Sequence, residues 1–258
     1  MKTLLDIPYS EKGEKCKLDF YLPEGEQYPV IVYFHGGGLV GGHRAEAQYC
    51  EIGQRFAEAG YAFVSVGYRL YTDGVRFPDF LTDCAEAVAF AKEYLRQQGT
   101  KWLIAGQSAG GWMALLLCLN ERYLSSVGLA PAEIDGWIID SAQMTSHFNV
   151  LKEERGIDPR LQRIDEFAPL YYVSDKTAFS KMLLLFYEQD MPCREEQNRL
   201  FMKAVRYFNP QADMEYQVLP GGHCHGSTKK EEDGEYRFVK ESLLWLNKRY
   251  NEKQEGGL

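Results

Sequence analysis

At 258 residues, with 45% apolar and 26% charged side chains, the chain has the composition of an ordinary folded domain, which excludes a disordered or fibrous protein and makes a second domain unnecessary. Its 37 acidic residues against 29 basic ones give a formal charge of −8 with no basic stripe, so nucleic acid and anionic membrane surfaces are not expected partners. No apolar run approaches the roughly 20 residues that span a bilayer, and the first twenty residues lack the apolar core and small-residue cleavage site of a secretory signal. The six cysteines (Cys16, Cys50, Cys84, Cys118, Cys193, Cys224) are widely spaced with no CxxC pair. Reduced, mostly buried thiols and a cytoplasmic location are expected.

In chain order, residues 3–10 (TLLDIPYS) and 17–23 (KLDFYLP) alternate apolar and polar side chains around an EKGEK turn, which predicts an antiparallel edge hairpin. Residues 30–38 (PVIVYFHGG) predict a strand, 46–60 a helix with Gly60 at its C-cap, and 61–70 (YAFVSVGYRL) a second strand of this kind. A helix over 79–99 capped by Gly99, a strand over 102–108 (WLIAGQS), a helix over 109–124 and a strand over 136–142 (GWIIDSA) follow. Residues 182–190 (MLLLFYEQD), 194–208 and 216–222 (YQVLPGG) predict strand, helix and strand, 233–250 a final amphipathic helix, and the tail NEKQEGGL is expected to fray. The interior strands are rich in Val, Ile, Leu and Phe without strict alternation, as strands covered on both faces are. The alternation of strands and helices predicts an α/β fold with a mostly parallel sheet flanked by helices, one domain over 1–258. Residues 143–181 are too long for a simple crossover and predict a small cap or lid insertion.

Two glycine-bearing motifs fall at strand ends. His35-Gly36-Gly37-Gly38 is expected about 0.004 times by chance in a sequence of this composition, which makes it the more specific of the two. Glycines let main-chain N–H groups approach an oxygen closely, and a tetrahedral intermediate needs two or three such donors. Gly106-Gln107-Ser108-Ala109-Gly110 is expected about 0.1 times by chance and gains weight from its position between a strand and a helical pattern. That position is where a nucleophile elbow lifts a serine hydroxyl above the sheet, with a helix N-terminus behind it. Ser108 is therefore the candidate nucleophile, and the N–H groups of Gly37, Gly38 and Ala109 are the candidate oxyanion donors. The plain alternative for Ser108 is a helix N-cap. His35 is expected to support its own loop, and His43 and His147 to be polar surface or core residues.

The segments LDFYLPEG, PVIVYFHGGG, VSVGYRL, FPDFLTDCAEAV, GQSAGG, FAPLYYV and LLLFYEQDMP, spread over nearly the whole chain, resemble the esterase/lipase branch of the α/β-hydrolase superfamily. The resemblance is to hormone-sensitive-lipase-like proteins and to BD-type feruloyl or acetyl esterases. It implies an eight-stranded α/β-hydrolase fold and a triad in the order Ser, acid, His; the cap expected from the long connection then precedes the penultimate strand. On that order the acid is Asp190, at the end of MLLLFYEQD and before Met191-Pro192, with Glu188 as its rival. Tyr187 stands where the similar proteins commonly carry glycine. The base is His223 or His225 in LPGGHCHGS (219–227). The similar proteins show Pro-Gly-x-x-His-Gly, which would fall on Cys224; counting from Pro-Gly selects His223, whereas aligning Gly222-x-x-His-Gly selects His225. A short loop after the last strand favours His223. Arg69 and Asp83 also match family positions and are expected to form an architectural ion pair.

The expectation is a serine carboxylesterase acting on a small-molecule ester with a short acyl or aryl group, acetyl or feruloyl esters of carbohydrate being implied by the resemblance alone. No cofactor is required, and no metal is expected, because the His-Cys-His triplet has no second ligand pair at metal-site spacing. The same triad also serves a serine peptidase, amidase or formamidase, and a non-catalytic ligand-binding protein of this fold is the alternative from another class. Cys193 and Cys224, on the loops of acid and base, are a candidate redox pair or two unconnected thiols. Phe148, Leu151, Phe167, Tyr171, Tyr172 and Phe179 are candidate pocket residues, and self-association into a homo-oligomer is left open.

Overall fold

Unbroken runs of β-branched and aromatic residues form strands buried on both faces, and helices at 3.6-residue apolar spacing cover them. The computed structural model describes residues 1–96 and 100–251. Its strands are β1 (Lys2–Pro8), β2 (Lys17–Leu22), β3 (Val30–Phe34), β4 (Ala62–Val66), β5 (Trp102–Gln107), β6 (Gly136–Asp140), β7 (Met182–Gln189) and β8 (Met214–Gly222). They form one sheet in the order β1-β2-β4-β3-β5-β6-β7-β8. β2 runs antiparallel to β1 and to β4, and the other pairings are parallel. The edge hairpin and the mostly parallel eight-stranded α/β-hydrolase sheet are thus as expected.

The helices are α1 (Ala47–Glu58), α2 (Asp79–Leu95), α3 (Ala109–Leu119), α4 (Arg122–Ser125), α5 (Phe148–Arg155), α6 (Arg194–Phe208), α7 (His225–Thr228) and α8 (Arg237–Leu246). Side chains of alternate strand residues divide the core into two layers. Val32, Phe34, Ile104, Ile139 and Leu184 pack with α2, α3 and α6 on one face. Ile31, Tyr33, Leu103, Ile138 and Leu185 pack with α1 and α8 on the other.

Several boundaries differ from the sequence expectation. β4 stops at Val66 because the next residues leave the ladder for side-chain partners: Tyr68 turns to His35 and Arg69 to Asp83. α2 ends at Leu95, where Arg96 takes the left-handed conformation (φ 46°) and closes the helix through its N–H to the Lys92 carbonyl. The expected cap, Gly99, lies outside the described residues. The segment 109–124 is two helices, because Asn120 is extended. The last helix starts at Arg237 because Lys230 and Tyr236 first form an antiparallel bridge, and it widens into a π turn over Asn247–Asn251. The rest of the NEKQEGGL tail, 252–258, lies outside the described residues.

Between β6 and β7 the insertion holds α5 and a 3₁₀ turn, Pro169–Tyr172. It is tied down at both motifs: Asn149 Nδ2 donates to the Gly38 carbonyl at 2.6 Å, and Trp112 Nε1 on α3 donates to the Phe167 carbonyl at 3.1 Å.

The Arg69–Asp83 pair joins the chain after β4 to α2. The Asp83 carboxylate is fully buried and takes the Arg69 main-chain N–H at 3.1 Å, Nε at 2.9 Å and a terminal nitrogen at 2.7 Å. Removing one partner of such a pair strands the other charge. Asp83→Asn should therefore cost about 3 kcal/mol in urea unfolding; a change under about 0.5 kcal/mol would show that the pair does not hold this corner.

Candidate active site

The C-terminal ends of β3, β5, β6, β7 and β8 converge on one edge of the sheet, and each delivers one part of the site. Ser108 follows β5 with φ 53° and ψ −114°, a backbone region that a non-glycine residue occupies only when its surroundings enforce it. The enforcement is close packing of α3 over β3: a Cβ at Gly110 would overlap the Phe34 carbonyl oxygen. The Ser108 N–H donates to the Asp140 carbonyl at 2.8 Å, fixing the turn to β6. The side chain is then presented at the helix N-terminus, 8% exposed.

The Ser108 hydroxyl donates to His223 Nε2 at 2.8 Å, and His223 Nδ1–H donates to Asp190 Oδ1 at 2.5 Å. The bond to Asp190 sets the imidazole tautomer, leaving Nε2 as the acceptor. The Asp190 carboxylate is 1% exposed and its Oδ1 also accepts the Met191 N–H at 2.6 Å, whereas the imidazole is 27% exposed. The structure therefore brings Ser108, His223 and Asp190 into one hydrogen-bonded chain. His225 is not part of it: it begins α7, with its ring against Gly221. Glu188 is exposed.

The oxyanion candidates are oriented by their neighbours. A trans peptide sets its C=O and N–H in opposite directions, so pinning a carbonyl aims the next amide. Buried His35 donates from Nδ1 to the Gly36 carbonyl at 2.6 Å, turning the Gly37 N–H the other way. The Gly37 carbonyl accepts the N–H groups of Val40 and Gly41, which turns out the Gly38 N–H. Gly37 has φ 109°, and a Cβ there would overlap the Gly41 carbonyl, so only glycine fits. The amides of Gly37, Gly38 and Ala109 donate to no main-chain carbonyl among the described residues. Burial lowers the His35 pKa to about 4, so the ring that holds this loop is neutral; Tyr68 stacks on it and donates to its carbonyl at 2.6 Å.

Four supporting residues were not read from the sequence as part of the site. Asn149 fixes the Gly38 peptide, as described above. Ser141 accepts the Cys224 N–H on its Oγ at 3.0 Å, and its carbonyl accepts from Arg194 at 2.6 Å, joining the base loop to α6. Tyr187, noted only as a departure from glycine, accepts the Gly226 N–H on its phenol at 3.0 Å and so holds the loop after His223. The fully buried Asp140 accepts the Ser227 hydroxyl at 2.7 Å. For Asp140, Ser141 and Tyr187 the signal was a polar group at or just after a buried strand end; Asn149, half-buried in α5, gave none.

A cavity of about 260 Å³ lies between the cap and the start of α6, and its lining does not include Ser108, His223 or Asp190 themselves. Phe148 stands both in its wall and against Gly38, while Met191 and Pro192, next to Asp190, form another side. Of the other cap aromatics and Leu151, none lines it: Leu151 is core, Phe167 packs on Phe77, Tyr171 is exposed, Tyr172 borders a separate cavity and Phe179 packs on the core. His147 is buried, caps α5 and is neutral, its pKa lowered by burial to about 3. Cys193 is exposed and Cys224 buried, each a free thiol.

Comparison with known proteins agrees with this architecture. The BD-FAE family model matches residues 18–126, the part that carries both glycine motifs. Among solved structures, the chain is similar to the butyrate-bound esterase Est2 of the planctomycete Thermogutta terrifontis, at 19% identity and TM-score 0.74, covering 95% of this chain and 94% of that one. It is similar to an inhibited esterase B of Lactobacillus rhamnosis at 17% identity and TM-score 0.76, covering 98% and 90%. It is also similar to a truncated carbohydrate esterase from gut microbiota at 15% identity and TM-score 0.74, covering 96% of each chain. Comparison with curated proteins gives no match.

Desolvation raises the Asp140 pKa from 3.8 to about 6, so protonation of this group favours the folded state. Its contribution is complete below pH 3.8 and is lost as pH rises through about 6. Asp140→Asn should flatten this dependence and raise the melting temperature at about pH 8, by the equivalent of about 3 kcal/mol. A variant that is less stable than wild type at that pH, with the same pH profile, would contradict it.

Proposed function

We propose that this α/β-hydrolase is a serine carboxylesterase that cleaves short acyl or aryl esters through an acyl-enzyme. The observation that carries the proposal is the Ser108–His223–Asp190 chain beside three outward amides. His223 Nε2 takes the Ser108 proton as Oγ attacks the ester carbonyl, and Asp190 stabilises the imidazolium that forms. The carbonyl oxygen, now negative, accepts from the Gly37, Gly38 and Ala109 amides, whose directions are set before substrate arrives. Collapse of this intermediate breaks the bond to the alcohol oxygen, which receives the proton from His223. Water then enters, gives a proton to the same nitrogen and attacks the acyl-serine, and collapse returns the proton to Ser108. The chemistry draws only on side chains and amides of this chain.

The size of the cavity supports a small group on the substrate, since drug-sized ligands occupy about 300–1,000 Å³ and this one is about 260 Å³. The similar structures include a butyrate-bound esterase and a carbohydrate esterase, which supports acetyl or feruloyl esters of carbohydrate as the natural class. A cytoplasmic location is part of the same reading, supported by six free cysteines.

Ser108→Ala should lower kcat on 4-nitrophenyl butyrate by about 10⁴- to 10⁶-fold, and a fluorophosphonate probe should label the folded wild-type chain at Ser108 and not the variant. Substantial activity in the variant would end the proposal. Assays on an acetyl ester, a feruloyl ester and an aminoacyl amide run in parallel would separate esterase from amidase action.

A further inference from the structure

The other buried arginine among the described residues, Arg44, and the part-buried Arg69 both rest on carboxylates. Arg44, 4% exposed at its side chain, lies 3.1 Å from Asp19 and also contacts Asp6, and Arg69 is held by Asp83. Arg194, on the first turn of α6 and 3% exposed, has no carboxylate within 4 Å among the described residues. Its acceptors are neutral: the Ser141 carbonyl at 2.6 Å, Gln143 Oε1 at 3.4 Å and the Met191 thioether at 3.8 Å. Its Nε is buried with no partner. A guanidinium offers five N–H donors in a plane suited to a carboxylate, and leaving it buried without a counter-charge is costly.

Asp190 is the acidic residue whose field reaches Arg194; its Oδ1 is committed to His223 and to the Met191 N–H and its Oδ2 is buried with no hydrogen-bond partner, yet the two groups form no ion pair within 4 Å. Desolvation outweighs that attraction and lowers the Arg194 pKa from its ordinary value. The arginine also lines the cavity whose wall includes Met191 and Pro192, the two residues after Asp190. The polar lining there is Gln143, Gln162, Gln197, Arg160 and Arg194, with no aspartate or glutamate. Arg160, on the same wall, is exposed and already paired with Asp158, which leaves Arg194 as the uncompensated cation of the lining. Gln143 is turned so that its amide nitrogen donates to Thr145 and Ser146, which leaves its oxygen toward the guanidinium. The site is thus built of the buried Arg194 cation and side-chain amides between apolar walls, one of which, Phe148, also lies against Gly38.

We infer that this cavity binds a carboxylate carried by the ester substrate, with Arg194 as its counter-ion, so that the preferred substrate is an anionic ester. The inference rests on the esterase reading above and specifies its substrate class. The carboxylate can belong to the acyl part, as in a half-ester of a dicarboxylic acid, or to the alcohol part, as in an acylated hydroxy acid.

The test compares matched pairs at one ionic strength: monoethyl succinate with diethyl succinate for the acyl side, and O-acetyl-lactate with its methyl ester for the alcohol side. In one pair the wild-type kcat/KM for the monoanion should exceed that for the neutral ester by tenfold or more. In Arg194→Met that ratio should fall to one or below, and Arg194→Lys should restore part of it. The ratio within one preparation does not depend on the fraction of the variant that folds, so a purely structural role of Arg194 would leave it unchanged and overturn the inference. A wild-type ratio at or below one in both pairs would also overturn it, and this result needs no variant. In that case hydrolysis of the neutral esters would leave the esterase reading standing, whereas failure to cleave any of the four, together with no fluorophosphonate labelling of Ser108, would remove both.

Discussion

The close crossing of α3 over β3 and β5 is the constraint on which the site depends. Because Gly110 allows the helix backbone to lie against the Phe34 carbonyl, the turn between β5 and α3 has no room to relax, and Ser108 is held at positive φ with its hydroxyl outward. The same contact brings the β3 end, and with it the amides of Gly37 and Gly38, beside the serine. The candidate oxyanion donors and the candidate nucleophile are therefore placed by one packing event. The parallel pairing of β5, β6, β7 and β8 then brings the loops of Asp190 and His223, the proposed acid and base, to the same edge.

A second layer of polar residues keeps these loops in place. The ends of β6 and β7 supply Asp140, Ser141 and Tyr187, which hold Ser227, the Cys224 amide and the Gly226 amide respectively. His223 is thus flanked by anchored backbone while its own side chain is committed only to Ser108 and Asp190. Hydrogen bonds in such a buried network have few competing partners, which favours one geometry over several. Asp140 carries the cost of this arrangement as a desolvated carboxylate, a destabilising feature tolerated at the edge where the chemistry is proposed.

Much of the fold was legible because it follows from local pattern. The runs VIVYF, AFVSV, WLIAGQ and GWIID need two covered faces, and a parallel sheet between helices supplies them. The elements that read poorly were those decided by distant partners: β4 gives up its end to Asp83 and His35, and Arg96 takes a left-handed cap that propensity would assign to glycine. At the site, Gly37, Gly38 and Ser108 were readable because close approach of backbone restricts the residue type. The choice between His223 and His225 was not, since two residues on one tight loop differ only in the direction each ring takes. That direction is set by Tyr187 and Ser141, whose contacts with the loop span 39 and 83 residues of sequence. Arg194 was unreadable for a related reason: an arginine in an amphipathic helix gives no sign that it faces a cavity rather than solvent.

The most direct measurement is a comparison of His223→Ala and His225→Ala in turnover of a short activated ester. The geometry predicts a loss on the order of 10³-fold or more for the first and retention of most activity for the second. Loss of activity on changing His225, with His223 dispensable, would contradict the assignment of the imidazole that touches Ser108 and the proposed relay with it.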